Sequence, residues 1–267
     1  MFGFFSFLQQ LFRRYYVYFS YMLIGLFFVL LLFNTITYFY IVYPRNFGWV
    51  ISLRSVFTTT IGLALLTIII TAYFKAMLIN PGNPRDAYPD VYEDPALLGG
   101  TFCVKCNYYK PPNAHHCSMC KVCIMDMDHH CRNIQAAWLN TCIGANNLRY
   151  FFQFLVWATF GCLFMCVLQA SEVYGVLWRD YKIAKYYTAL SRFMLMFSFM
   201  SCFALVIALA IFAGFHAYLI LSDNSTLDVM RGDKKRGMAA SNWVRVFGRK
   251  PLEWFLPFDF TEALKLI

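Results

Sequence analysis

Charge is what this sequence has least of. Asp, Glu, Lys and Arg make up only 14% of its residues, against 60% hydrophobic and 20% aromatic. So little charge excludes an ordinary soluble domain. Acidic residues are the scarcer kind, leaving a formal net charge of +9. On so apolar a chain that excess points to anionic lipid or an anionic cofactor rather than to nucleic acid. Residues 1–14 lack a basic start and a small-residue cleavage site, which argues against a removable signal peptide. No carboxylate is expected inside the membrane spans, which speaks against a transporter. The soluble insertion at 83–149 has little aliphatic content. Metal, rather than a hydrophobic core, has to supply its folding energy.

What is present is a set of four long apolar runs. Spans are expected at 15–43, 50–79, 150–175 and 189–222, preceded by 1–14, interrupted by 80–149 and followed by 223–267. This is an all-α polytopic membrane protein with a Cys-rich domain between its second and third helices. Four spans put both termini and the Cys-rich domain on one side, and that side carries 17 of the 23 Lys and Arg residues. It should therefore be cytosolic. Asn34, Thr35, Thr37, Thr58, Thr59 and Thr60 are expected to hydrogen-bond between helices. Cys162, Cys166 and Cys202 should behave as small hydrophobes, and His216 as a packed, hydrogen-bonded histidine. Gly161, in the middle of the third span, has two readings, a gap in which an acyl chain could lie and, with at least equal weight, a small residue at a close helix contact.

Between Cys103 and Cys142 lie seven of the ten cysteines and four of the five histidines. The spacings Cys103/Cys106, Cys117/Cys120 and Cys120/Cys123 suit a chain that turns back to place successive sulfurs on one ion. A disulfide framework is the other reading of such a cluster, but nothing here looks like a small exported module. Two closed Cys3His sites use six cysteines and two histidines, so one thiol is left over. Counting does not say which. Cys131 stands out because Asp128, His129 and His130 directly precede it: an imidazole can take a neighbouring thiol's proton, and a carboxylate can orient that imidazole.

Asp128-His129-His130-Cys131, with Lys110-Pro111 and His115-His116-Cys117 upstream, resembles the DHHC family of protein S-acyltransferases (palmitoyltransferases). Further likenesses extend it. Asn80-Pro81-Gly82 is similar to the family's Asp-Pro-Gly, with Asn in place of Asp. Ser225-Thr226-Leu227-Asp228 is similar to its Thr-Thr-x-Glu, although a helix cap explains the same residues. Asn242 to Gly248 and Trp254-Phe255-Leu256-Pro257 are similar to its C-terminal packing motif. The resemblance implies one zinc on Cys103, Cys106, His116 and Cys123 and a second on Cys117, Cys120, His130 and Cys142. It implies Cys131 as the acylated nucleophile, His129 as its base, Asp128 holding that base, Thr226 as a neighbour of Asp128 and Trp138 as the cofactor-binding residue.

The activity implied is protein-cysteine S-palmitoylation from palmitoyl-CoA or another long-chain acyl-CoA. The partners implied are the membrane, the fatty acyl-CoA and membrane-proximal cysteines of substrate proteins, with no nucleic acid. An endomembrane location, Golgi or ER rather than plasma membrane, is expected. The alternative reading is a catalytically weak or inactive membrane-tethered zinc module that recruits partner proteins. One departure bears on that choice. The family has its next ligand six residues beyond the nucleophile, whereas Cys142 lies eleven beyond Cys131, which reads as an insertion at 132–136. So short an extra loop costs well under about 1 kcal/mol in closure entropy. Trp138 is the residue it is most apt to displace.

Overall fold

The structure, a computed structural model, describes residues 2–48, 50–87, 100–130, 139–178, 187–232 and 239–258. Among these the long elements are helices α1 (Phe2–Thr37), α3 (Leu53–Leu78), α5 (Leu148–Trp178) and α6 (Ala189–Leu221). A π-helical turn, Tyr38–Val42, carries α1 directly into α2 (Tyr43–Phe47). The cause is Pro44, which brings no amide hydrogen and crowds the carbonyl four residues back. The chain widens to a five-residue step ahead of it, and the Tyr43 N–H donates to the Tyr38 carbonyl.

Four stretches are long and apolar enough to cross a membrane: Tyr18–Phe47, Leu53–Leu78, Leu148–Trp178 and Ala189–Leu221, with mean hydropathies of 2.0 to 2.5. Even the shortest, 26 residues, is about 39 Å long at 1.5 Å per residue, enough for a hydrocarbon core of about 30 Å. Large apolar side chains stand uncovered along them, among them Leu32, Phe57, Phe160, Val167, Phe193 and Ile211. In water that surface would be a heavy cost, and in lipid it is the required exterior. The chain is a mostly helical, polytopic membrane protein whose Cys-rich region lies between the second and third spans.

The smaller elements flank the spans. After α3 come α4 (Pro84–Ala87) and six short strands: β1 (Thr101–Cys103), β2 (Tyr108–Lys110), β3 (Ala114–Cys117), β4 (Val122–Met125), β5 (His129–His130) and β6 (Cys142–Ile143). They pair antiparallel as β1–β2, β3–β4 and β5–β6. After α6 come α7 (Thr226–Arg231), α8 (Ala240–Phe247) and α9 (Pro251–Phe255).

The chain divides into two units. The first comprises Met1–Gly25, Ala72–Gln153 and His216–Ile267, and the second Leu26–Thr71 and Phe154–Phe215. The second unit shows which intramembrane polar residues bridge helices. Asn34 Oδ1 accepts from Ser198 Oγ at 2.6 Å and from the Cys202 thiol at 3.1 Å, and Gln169 Nε2 donates to Ser198 at 2.8 Å. Tyr38 and Thr59 share a bond of 2.9 Å. Thr35, Thr37 and Thr58, expected to do the same, instead bond the carbonyl four residues back in their own helix. Nothing in lipid competes for a hydroxyl, so a helical carbonyl within reach satisfies it.

The two readings of Gly161 are decided here, and one expectation about the spans changes. A Cβ on Gly161 would lie 2.7 Å from Ile69 Cδ1, so this glycine faces a packed neighbour and not a gap. The third span also carries a carboxylate, Glu172, which accepts a hydrogen bond from Tyr187. The Arg45 guanidinium lies 4.3 Å from the centre of that tyrosine's ring.

Candidate functional site

The site grows from two tight turns. In Cys103–Asn107 the amides of Cys106 and Asn107 both donate to the Cys103 carbonyl, and Asn107 closes the turn with φ at 54°. In Cys117–Lys121 the Lys121 amide donates to the Cys117 carbonyl, the Cys120 amide to the Cys117 sulfur at 3.3 Å, and Lys121 takes φ of 60°. Each turn swings its two sulfurs to one side. The β3–β4 ribbon then sets His116 directly across from Cys123.

Cys103, Cys106, His116 and Cys123 converge, with all four ligand atoms within 4.8 Å of one another. The His116 Nδ1 lies 3.6, 3.1 and 4.0 Å from the sulfurs of Cys103, Cys106 and Cys123, and the sulfurs of Cys106 and Cys123 are 3.8 Å apart. A tetrahedral zinc with Zn–S of about 2.3 Å and Zn–N of about 2.0 Å needs S···S near about 3.8 Å and S···N near about 3.5 Å, so the donor set fits the ion. Burial, reinforced by the adjacent Cys103 and Cys106, pushes the Cys123 thiol up to about 12 even with Tyr108 hydrogen-bonded to it. Thiols crowded in this way surrender their protons to a cation rather than to water.

Cys117, Cys120 and Cys142 form a second group, with the sulfurs of Cys120 and Cys142 3.4 Å apart. The backbone of His130 pairs with that of Cys142 in the β5–β6 ribbon. The His130 side chain, Cys131, residues 132–136 and Trp138 lie outside the described residues. No disulfide joins any of the described cysteines.

Cys142 is held by a buried amide. Asn147 accepts the Gly144 N–H at 2.9 Å and donates to the carbonyls of Cys142, at 2.8 Å, and Ala76, at 3.0 Å. One side chain thus ties the ligand strand to the end of α3. Gly144 has no room for a Cβ, which would meet Ile124 Cγ2 at 2.5 Å and the Pro81 carbonyl at 2.6 Å. The Asn80 turn docks on the same edge, where the Gly82 carbonyl accepts the Met125 amide. Asn80 keeps the turn without a carboxylate, its Oδ1 accepting the Gly82 N–H at 3.1 Å.

Asp128 sits beside these ribbons, 3% exposed. Its Oδ2 accepts from His129 Nδ1 at 2.5 Å, its Oδ1 accepts the Thr226 N–H at 2.8 Å, and the Thr226 hydroxyl lies 3.1 Å from both oxygens. Burial alone would raise this carboxyl. The bond and charge of His129, the nearby His216 and the Thr226 amide outweigh it and hold Asp128 below its ordinary value. Ser225 and Asp228 meanwhile form a capping box at the start of α7, so the cap also serves to aim the Thr226 amide at Asp128. With Nδ1 committed to the carboxylate, the other ring nitrogen of His129 is Nε2.

The sequence left His216 as a packing residue. The structure places it at the site: it is 1% exposed, and its Nδ1 is 3.7 Å from Asp128 Oδ2. The signal available in the sequence was an ionisable group in an otherwise apolar span. The C-terminal segment docks on the first turns of α5. Gln153 Nε2 donates to the carbonyls of Glu253, Trp254 and Leu256, and the Phe152 ring packs edge-on to Trp243 and Phe247. Asn242 caps the matter by donating to the Leu221 carbonyl at the end of α6 at 2.8 Å.

Residues 98–233 match the family model described as DHHC palmitoyltransferase. The chain is 30% identical over 165 residues to Palmitoyltransferase ZDHHC15 of Homo sapiens, covering 58% of this chain and 46% of that protein. It is 31% identical over 175 residues to Palmitoyltransferase ZDHHC2 of Rattus norvegicus, covering 61% and 44%. To Palmitoyltransferase PFA3 of Eremothecium gossypii it is 27% identical over 251 residues, covering 77% and 74%. Against the two mammalian relatives the match spans less than half of their length. The matched region holds both thiol clusters, the Asp128–His129 pair and the Thr226 that grips it. It also covers more than half of the sequence, so this chain belongs to the DHHC palmitoyltransferase family.

Proposed function

We propose that this chain is a protein-cysteine S-palmitoyltransferase. The observation that carries the reading is the pair of buried Asp128 and partly buried His129, which ends one residue short of Cys131. Cys131 attacks the carbonyl of a long-chain acyl-CoA, the C–S bond to coenzyme A breaks, and the acyl group is held as a thioester on Cys131. A substrate protein's cysteine then takes the acyl group and Cys131 is restored. Thioester exchange is nearly balanced in energy, so the protein's task is to supply a thiolate, a proton carrier and positioning. An unperturbed thiol of pKa about 8.5 is only a few per cent ionised at neutral pH. His129 supplies the base through Nε2, with Asp128 fixing the tautomer and Thr226 fixing Asp128.

Zinc, where bound, supplies folding energy and no step of the transfer. Cys103, Cys106, His116 and Cys123 hold one ion. Cys117, Cys120 and Cys142, with His130, hold the other. Trp138 belongs to the acyl-CoA side of the reaction. The excess of basic residues on the side of both termini and the Cys-rich region supports a cytosolic face, where thiols stay reduced. The acyl tail lies among the spans, since each buried methylene contributes about 0.8 kcal/mol. Substrates present cysteines close to the membrane surface, on an endomembrane such as Golgi or ER.

The test is incubation of detergent-purified, metal-replete protein with a clickable palmitoyl-CoA analogue. A hydroxylamine-labile label that maps to Cys131 and is lost in Cys131→Ser is expected. Absence of label in protein that holds its zinc would overturn the enzyme and leave a membrane-tethered zinc module that recruits partners.

A further inference from the structure

His216 is a histidine in the last turns of the fourth span, almost wholly shielded from solvent. An imidazole in that setting is costly unless a polar group answers it. What faces it is the oxygen that does most at the site: Asp128 Oδ2, 3.7 Å from His216 Nδ1, is also the acceptor of the 2.5 Å bond from His129. The two imidazole centroids are 5.9 Å apart. Phe151 closes the group, its ring edge-on to His129 at 5.5 Å and to His216 at 5.1 Å. Thr226 holds Oδ1 through its amide and reaches both oxygens with its hydroxyl. The carboxylate is therefore approached by Thr226 from the start of α7 and by His216 from within α6.

We infer that His216 is a positioning residue for acyl transfer, which steadies the Asp128 carboxylate so that His129 keeps its Nδ1 proton and has Nε2 to serve as the base. The inference rests on the proposed transferase reaction. His216 does not touch the reacting atoms; it acts through Asp128. At 3.7 Å the contact is longer than a hydrogen bond, and a ring that carries its proton on Nδ1 acts on Oδ2 electrostatically, opposing any swing of the carboxylate as His129 takes the thiol proton. Without it, Thr226 is the one group besides His129 that bonds the Asp128 side chain among the described residues. The His129 tautomer and ring angle then lose a support that geometry-sensitive proton transfer depends on.

The experiment compares His216→Leu, which keeps bulk, with His216→Asn, which keeps an N–H near the position of Nδ1. Full-length protein is used, and the rate of Cys131 acylation is measured against palmitoyl-CoA concentration, alongside zinc content. Leucine is expected to lower the maximal rate by about tenfold, as befits one weakened contact to a charged group, with the half-saturating palmitoyl-CoA concentration and the zinc content unchanged. Asparagine should recover most of the rate. In an Asp128→Asn background, His216→Leu should cost little further, because the two residues act as a unit. A wild-type rate in His216→Leu, equal defects in both variants, or an undiminished penalty in the Asp128→Asn background would each overturn the inference. Should His216→Leu not fold, His216→Gln takes its place: its amide sits where Nε2 was, so it should be slow while asparagine is fast, and equal rates count against the assignment. Wild-type protein that is never labelled defeats the transferase reading and this inference with it. Labelled wild type with indifferent variants defeats this inference alone.

Discussion

At the scale of single residues, the arrangement separates groups that fold the protein from groups that react. Cys103 belongs to a four-ligand cluster, so Cys103→Ser should release zinc, lower the thermal unfolding midpoint and abolish labelling together. Cys131→Ser should abolish labelling alone, with the zinc content unchanged by elemental analysis. Zinc loss from Cys131→Ser would show that the spare thiol had been misassigned. Thr226 offers a finer test, because its amide and its hydroxyl both serve Asp128. Thr226→Val keeps the amide and the side-chain volume and removes the hydroxyl. A hydrogen bond to a charged group is worth about 1.5–3 kcal/mol, and acylation should therefore slow by about 10- to 100-fold in protein that keeps its fold. An unchanged single-turnover rate would assign the restraint of Asp128 to the amide alone.

At the scale of elements, the helices meet through small and polar residues as well as through packed apolar ones such as Ile41, Val173 and Leu195, and in lipid only close packing and hydrogen bonds favour those meetings. Gly161 is the sharpest case, with Ile69 Cδ1 2.7 Å from where its Cβ would stand. Gly161→Phe should lower the unfolding midpoint, and pairing it with Ile69→Ala should restore a large part of the loss; overpacking typically costs about 1–3 kcal/mol. A shift towards shorter acyl-CoAs in a fully stable Gly161→Phe protein would instead revive the reading of Gly161 as part of an acyl cavity. Outside the membrane the governing device is the reverse. Asn147 satisfies three backbone groups at once in a site with no exposure. Replacing it by Ala leaves them unpaired, and each buried orphan costs about 1–3 kcal/mol.

For the molecule as a whole, two zinc ions per chain are expected, and elemental analysis returning one or none would sink the two-cluster assignment. The departure from the family at 132–136 makes a second test at this scale. Cys142 stands with Cys117 and Cys120 even though it lies eleven residues beyond Cys131. The extra residues therefore leave this ligand within reach of its cluster, consistent with the small closure entropy of a short insertion. Deleting Arg132 to Ala136 should leave two zincs bound and preserve or raise the rate of acylation. Loss of acylation with both zincs retained would mean that these five residues are an adapted part of the active site.

Some of this was determined by the sequence alone. Four runs of apolar residues commit to spanning helices because each must satisfy its own backbone in lipid, whatever the rest of the chain does. Cys-x-x-Cys turns commit their sulfurs to one side because the geometry closes within five residues, and Asp128, His129 and Cys131 read as a candidate reacting group because they are neighbours in the chain. Tertiary structure decided the rest. Thr226, which only the family likeness had set beside Asp128, reaches it across 98 positions, and His216 comes close to it from an otherwise apolar span. Asn34 and Thr59 bridge helices whereas Thr35, Thr37 and Thr58 do not, though all five are polar residues in apolar runs. A polar side chain in a span can bond its own helix or another, and the two choices satisfy it about equally. Only the rotation and depth at which neighbouring helices dock select between them, and those are set by packing between residues far apart in the chain.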